Sequence, residues 1–200
     1  DRGRRILVVG GTPLYLRCLR DGLDDFAPVN PSLRHNLTHE LNRLGPEELH
    51  NKLAQSRPDL AATIHPNDSK RIIRALEIAE TAGPDHKRSW TLANNQEKRL
   101  FPCPILVIDH PRIILNSRIN QRVEAMFEAG ILEETEAAEK QYGIGTTAAQ
   151  AAGYKESLAY IRGEINKQEA ISKTKQRTRQ LAKRQRTWFR SFSDAVWLSA

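Results

Sequence analysis

The sequence predicts an α/β chain, mostly helical, with an incomplete sheet core interrupted by a helical insertion. Three observations carry this. Two short apolar runs, Ile6–Val9 and Ile105–Asp109, read as buried strands, and a third, AVWLS at 195–199, can add to the sheet. Between the first two, residues 30–103 show apolar spacing of helical type only. A sheet of two or three strands is marginal as a core, both main strands look buried on two sides, and the chain opens on Asp1 rather than Met. An N-terminal part of the core is therefore expected to be missing.

The elements follow in order. In RRILVVGGTPLYLRCLRDGL, residues 4–23, the strand-like run stops at Gly10-Gly11 and an amphipathic helix opens at Thr12-Pro13. Proline suits the first helical position, where its absent N–H costs nothing, with Thr12 as cap. A strand, a glycine turn and a helix often hold phosphate, yet the Lys of a phosphate loop is missing. From Asp24 the chain turns irregular, with Pro28 and Pro31 as breakers. Leu33, Leu37, Leu41 and Leu44 mark a helix stopped by Gly45-Pro46; PEELHNKLAQ and RPDLAATI are two more helical pieces. HPNDSKRIIRALEIAETAG is an Asn/Asp-capped helix with Ile72, Ile73, Leu76 and Ala79 inward and a Gly83-Pro84 stop.

After the strand at 105–109, Leu115, Ile119, Val123, Met126 and Phe127 form a helical stripe closed by Gly130, and ILEETEAAEKQ continues it. GIGTTAAQAAGYKE is a glycine-punctuated loop leading into ESLAYIRG, and a long helix runs from about Asn166 to Arg190.

Composition bounds the function. Hydrophobic residues make up 39% and charged ones 28%, which fits a soluble globular protein; no apolar run approaches the roughly 18 residues of a membrane span. Cys18 and Cys103 form neither a disulfide framework nor a CxxC pair, so a reduced, cytoplasmic setting is expected. The net charge is +7 and the pI about 9.6, which points to a polyanionic partner.

That charge is concentrated. Between Lys173 and Arg190 lie eight basic residues and no acidic one. Ile171, Thr174, Thr178, Leu181, Gln185, Trp188 and Phe192 line one face of this helix by spacing, and Lys175, Arg179, Lys183, Arg186 and Arg190 another. A solvated basic face is one reading. Unopposed cations repel, however, and phosphate groups relieve that repulsion, so anion binding is preferred. Lys70, Arg71 and Arg74 project from the first turns of the capped helix, and Tyr154-Lys155 sets a ring beside a cation after the small residues of AAQAAG. By composition alone these are an ordinary amphipathic helix and a compact turn. His65, before a Pro, has no second histidine or cysteine at ligand spacing, and His35, His39, His50, His86 and His110 are scattered and suggest no triad.

In this order, VVGGTPLYLRCLRDGL, HPNDSKRIIRALE, SRINQRVEAMFEAGILEE, QAAGYKESLAYIRGE and KTKQRTRQLAKRQRTWFR resemble the successive motifs of the tRNA dimethylallyltransferases, also called tRNA isopentenyltransferases. The resemblance covers Arg2 to Leu198. It implies a P-loop-kinase-like α/β core with a parallel sheet, nucleotide-binding by kinship, at residues 1–29 and 104–200, and a helical tRNA-binding insertion domain at 30–103. It also implies transfer of a dimethylallyl group from its diphosphate to N6 of the adenosine next to the anticodon (A37), with Mg²⁺ assisting. The partners implied are a tRNA anticodon stem-loop and dimethylallyl diphosphate, with no membrane, and the protein is expected to be a monomer.

Carried over residue by residue, the catalytic tRNA-contacting Thr of the GGT turn falls on Thr12. The tRNA-binding positions fall on Arg34, on Lys70, Arg71, Ile72, Ile73 and Arg74, and on Gln150, Ala151, Ala152, Gly153, Tyr154 and Lys155. Arg177, Arg179, Lys183 and Arg184 match the RTRQ-x-AKRQ motif and are assigned to phosphate or diphosphate. Pro13 and Ala152 replace a usual Gly and a larger aliphatic. No G-x-x-x-x-G-K-[ST] pattern occurs in the chain, and the acid that takes the amine's proton follows that loop in the family. The chain alone is therefore expected to be inactive, with any Mg²⁺ ligands on the missing segment. Two alternatives stay open: a non-catalytic RNA-binding module, and an isopentenyltransferase acting on free adenine nucleotides.

Overall fold

The computed structural model describes residues 3, 6–22, 30–82, 100–101 and 103–200. The expectations at Asp24, Pro28, Gly83-Pro84 and His86 lie outside these. The chain divides into two compact units, residues 1–17 with 102–200, and residues 18–101.

In the 18–101 unit, punctuation sets the helices. Asn30 caps α2 (Pro31–Leu44), its Oδ1 accepting from Ser32 N at 3.1 Å and Leu33 N at 3.3 Å, with Pro31 in the first turn. Gly45, at φ 86°, ends it, and Pro46 opens α3 (Pro46–Ser56); a single turn, α4 (Pro58–Ala61), follows. Asp68 Oδ1 accepts from Arg71 N at 3.2 Å at the head of α5 (Ser69–Ala82). Leu37, Leu49, Leu53, Leu60, Ile64, Ile72 and Leu76 form one core. Leu33, Leu41 and Ile73 pack at its margin, whereas Leu44, at the end of α2, is exposed.

The other unit holds the strands. β1 (Leu106–Asp109) pairs in parallel with β2 (Val196–Ser199), Leu106 opposite Val196 and Asp109 opposite Ser199. The tail thus joins the sheet as expected. Two other expectations are corrected. Residues 6–10 carry no strand, and Ile6, Leu7, Val8 and Val9 are 52–89% exposed. A strand needs a neighbour's backbone to bond to, and an apolar run has no strand structure without one. Nor is β1 buried on both faces: Val107 is 8% exposed but Leu106 and Ile108 are 57% and 68%. Side chains alternate across a strand, and among the described residues only one face is covered.

Between the strands run α6 (Arg112–Glu128), α7 (Ile131–Tyr142), a 3₁₀ turn at Ala148–Gln150, α8 (Tyr154–Ile161) and α9 (Lys167–Phe189). Gly130, left-handed at φ 98°, breaks α6 from α7, so ILEETEAAEKQ is a separate helix. Ile119, Val123 and Phe127 of α6 pack with Ile131, Leu132 and Ala170. Asn166 and Glu169 exchange side-chain-to-backbone bonds of 2.9 and 3.0 Å at the head of α9, a capping box. The chain also includes α1 (Pro13–Asp21), opened by Thr12, whose carbonyl oxygen accepts from Tyr15 N at 3.0 Å and Leu16 N at 3.3 Å. No helix among the described residues is long and apolar enough to cross a membrane.

Candidate nucleic-acid interface

A cleft of about 410 Å³ opens where α8 meets α9, in the 102–200 part of the chain. Its α9 wall carries Lys173, Arg177 and Arg184, spaced four and seven residues apart on one helical face. Gln176 and Gln180 stand between them, and α8 contributes Lys155 and Glu156. Gly153 places α8: it sits at φ 99°, and a Cβ there would lie 2.9 Å from Ile131 Cδ1. Its N–H donates to Glu156 Oε2 at 2.9 Å, which holds that buried carboxylate, while Glu156 Oε1 meets Arg177 Nη1 at 3.4 Å. Four cations thus face one carboxylate that is already engaged. Such a site attracts an anion with several oxygen acceptors, and the amides of Gln176 and Gln180 add neutral donors.

This is a different face of α9 from the one the spacing suggested. Lys175 Nζ lies 2.5 Å from Glu124 Oε1, Arg179 Nη1 donates to Asn120 Oδ1 at 2.7 Å, and Arg186 Nη2 donates to Asp109 Oδ2 at 2.7 Å. These three tie α9 to α6 and β1. Of the residues matched to the RTRQ-x-AKRQ motif, Arg177 and Arg184 line the cleft with Lys155. Arg179 is turned to α6, and Lys183 is exposed outside the cleft.

The loop expected to admit a partner is placed unevenly. Gln150, Ala151 and Lys155 are exposed and Ala152 is half-buried, but Gly153 is buried, its open side filled by Ile131. Its small size therefore serves packing inside the chain. The Tyr154 hydroxyl donates to Glu134, and that bond, with burial and the carboxylate's charge, holds the phenol above its usual range. Thr12 is exposed on the GGT turn, and Gly11 beside it accepts from Gln185 Nε2 at 2.6 Å. The close approach there comes from the chain's own α9.

The 18–101 unit carries a second basic cluster. Lys70 and Arg71 are exposed at the head of α5, Arg71 Nε lying 3.4 Å from Asp68 Oδ2. Arg34 reaches from α2 to Glu77 with Nε at 2.5 Å and Nη2 at 2.7 Å, and Arg74 Nη1 joins the same carboxylate at 3.0 Å. Burial pushes the Glu77 carboxyl up, but the bonds from Arg34 and Arg74 outweigh it and hold it below the usual carboxylate range; Arg34 is raised in turn. Ile72 is fully buried and Ile73 half-buried, so the side chain of Ile72 belongs to the core and offers no surface to a partner.

Glu77 and Glu156 were not singled out from sequence, and Lys173 only as the first of the basic run. A signal for Glu77 existed: it is the one charged residue among Ala75, Leu76 and Ile78 on the buried side of α5. No group of three His, Cys, Asp or Glu among the described residues could hold a metal, and Glu156 stands among cations.

The IPP transferase family model matches residues 1–192. A tRNA dimethylallyltransferase of Exiguobacterium sp. (strain ATCC BAA-1283 / AT1b) is 43% identical over 201 residues, which is 98% of this chain and 62% of that protein. One of Shouchella clausii (strain KSM-K16) is 41% identical over 98% of this chain and 63% of its own length. The chain thus spans somewhat under two thirds of these curated relatives. Among solved structures, a full-length tRNA isopentenylpyrophosphate transferase of Bacillus halodurans matches with a TM-score of 0.57 and 32% identity over 93% of this chain and 57% of that one. A eukaryotic dimethylallyltransferase acting on tRNA matches with a TM-score of 0.70 and 27% identity over 95% and 50%.

Proposed function

Because the chain belongs to the IPP transferase family, we propose that it is the nucleic-acid-gripping portion of an enzyme that prenylates tRNA. The reaction joins N6 of an adenine, at position 37 beside the anticodon, to the allyl carbon of dimethylallyl diphosphate. The carbon–oxygen bond to diphosphate breaks, the diphosphate leaves with the electron pair, and the amine gives up a proton. The observation that carries the reading for this chain is the α8–α9 cleft, where Lys155, Lys173, Arg177 and Arg184 gather around Gln176 and Gln180. Cations with amide donors suit phosphate oxygens of a nucleic-acid backbone. Residues 30–103 act as the helical tRNA-binding insertion, presenting Arg34, Lys70, Arg71 and Arg74. Thr12 faces the nucleic acid beside the base that is turned out to react, a requirement for chemistry on a stacked base.

These 200 residues contain no phosphate-loop pattern for the donor diphosphate, and by themselves they transfer no prenyl group. The test is a titration of the chain with an anticodon stem-loop RNA across a salt series, with mass spectrometry of the RNA after incubation with dimethylallyl diphosphate and Mg²⁺. Tight binding that weakens steeply with salt, and unmodified RNA, are expected. Binding without a salt slope would sink the reading of the cleft, and prenylated adenosine would overturn the inactive assignment. Inorganic pyrophosphate that displaces the RNA would assign the cleft to the donor's leaving group instead.

A further inference from the structure

Glu77 is a carboxylate in a place that disfavours one. Its side chain is 2% exposed, and its neighbours Ala75, Leu76 and Ile78 in α5 are 0–3% exposed. An ionised carboxylate taken out of water is strongly disfavoured unless its oxygens are fully engaged. Glu77 meets that demand with three charge-assisted bonds, two from Arg34 and one from Arg74. The geometry has a direction. Arg34 engages with Nε and Nη2, so Nη1 takes no part in the pair, and the side chain is still 46% exposed. Arg74 engages the same carboxylate through Nη1, and its side chain is 23% exposed. The buried carboxylate therefore grips both guanidinium groups from beneath, and Arg34 keeps part of its own at the surface.

Stability alone does not explain such a group, since buried ion pairs are often replaceable by apolar residues without loss. It does explain order. An arginine free at the surface loses rotamer freedom when it binds, whereas one already held in place does not. Two guanidinium groups brought together would also repel, and the carboxylate between them cancels that.

We propose that Glu77 is a positioning residue for RNA binding: it holds Arg34 on α2 and Arg74 on α5 as one preorganised fork, with Lys70 and Arg71 one turn before Arg74 on α5. The proposal rests on the nucleic-acid reading given above. It makes a prediction whose sign opposes simple electrostatics. Glu77→Gln raises the net charge by one, so bulk attraction for a polyanion would tighten binding. Loss of positioning weakens it.

The experiment titrates an anticodon stem-loop RNA with the full chain at one fixed salt concentration, using wild type, E77Q, R34A, R34K and the E77Q/R34A pair. Far-UV circular dichroism and urea midpoints are recorded for each. E77Q is expected to bind about tenfold more weakly, the order of the cost of arranging two long side chains on binding. R34K, which keeps the charge but cannot make the two-pronged contact, should fall with R34A. R34A should cost little further in the E77Q background. Equal or tighter binding by E77Q, full affinity in R34K, or additive losses would each overturn the proposal. R34K keeps the test open should E77Q fail to fold. Wild-type chain without affinity for the RNA would overturn the nucleic-acid reading and this inference with it, whereas wild-type affinity with an indifferent E77Q would overturn this inference alone.

Discussion

Gln185 on α9 donates from Nε2 to the carbonyl oxygen of Gly11 at 2.6 Å, joining residues 174 apart in the chain. A methyl at Gly11 would stand 2.5 Å from that nitrogen. The amide is the far end of a flexible side chain, so Gly11→Ala should displace it rather than disrupt the backbone. The expected loss is about 1 kcal/mol, the size of one exposed hydrogen bond. Gln185→Ala should cost a similar amount, and the pair together little more than either alone, as read from urea unfolding.

Arg17 closes the same corner. Its guanidinium lies 5.2 Å from the Trp188 ring centre and 4.8 Å from that of Phe192, and Nη2 donates to Ser191 Oγ at 2.8 Å. The residue is 7% exposed, so these contacts are made largely out of water. Arg17→Ala is expected to destabilise the chain by about 2 kcal/mol, from lost packing as well as lost charge. Arg17→Lys should recover only part, because an ammonium lacks the planar face. Trp188 emission should shift in both variants; an unchanged spectrum would count against the stack.

The two classes of cation on α9 should separate by assay. Arg177→Ala and Arg184→Ala are expected to lower the salt slope of RNA binding by about one each, as loss of a phosphate contact does. Arg179→Ala and Arg186→Ala should instead lower the urea midpoint, since those side chains hold α9 against Asn120 of α6 and Asp109 of β1. A stronger effect of Arg179 than Arg184 on the salt slope would reverse the assignment.

Acid should weaken folding through the α2–α5 contact. The Glu77 pKa is lower in the folded chain than in the unfolded one, where it is about 4.3. Folding therefore favours the ionised form, and this stabilisation is complete above the unfolded pKa. It is lost as pH falls through the folded value. Urea midpoints measured from pH ~6 downward should fall in wild type and fall less in Glu77→Gln. Parallel curves for the two proteins would show that another carboxylate governs the acid limb.

Much of the local architecture was legible in the residues. Asp68 and Asn166 mark helix starts, and Gly45, Gly130 and Gly153 mark breaks, because capping and positive φ are matters of one turn of backbone. Ile119, Val123 and Phe127 turned inward as their spacing required. Five motifs in order were enough to indicate the family, and residues 1–192 match it.

What spacing could not say was which cations stay available. The face formed by Lys175, Arg179, Lys183, Arg186 and Arg190 was legible as a stripe, but its first, second and fourth members meet Glu124, Asn120 and Asp109, 51 to 77 residues away. Ile6–Val9 likewise had the composition of a strand and forms none, for want of a neighbouring backbone. The sequence by itself determined the helices, their ends, the total charge and the family, all of which depend on neighbouring residues or on their order. Tertiary structure alone decided that Lys155, Lys173, Arg177 and Arg184 share one cleft and that Glu77 grips two arginines. Those outcomes depend on which distant side chains the packed helices bring within hydrogen-bond reach, and periodicity along one helix carries no record of them.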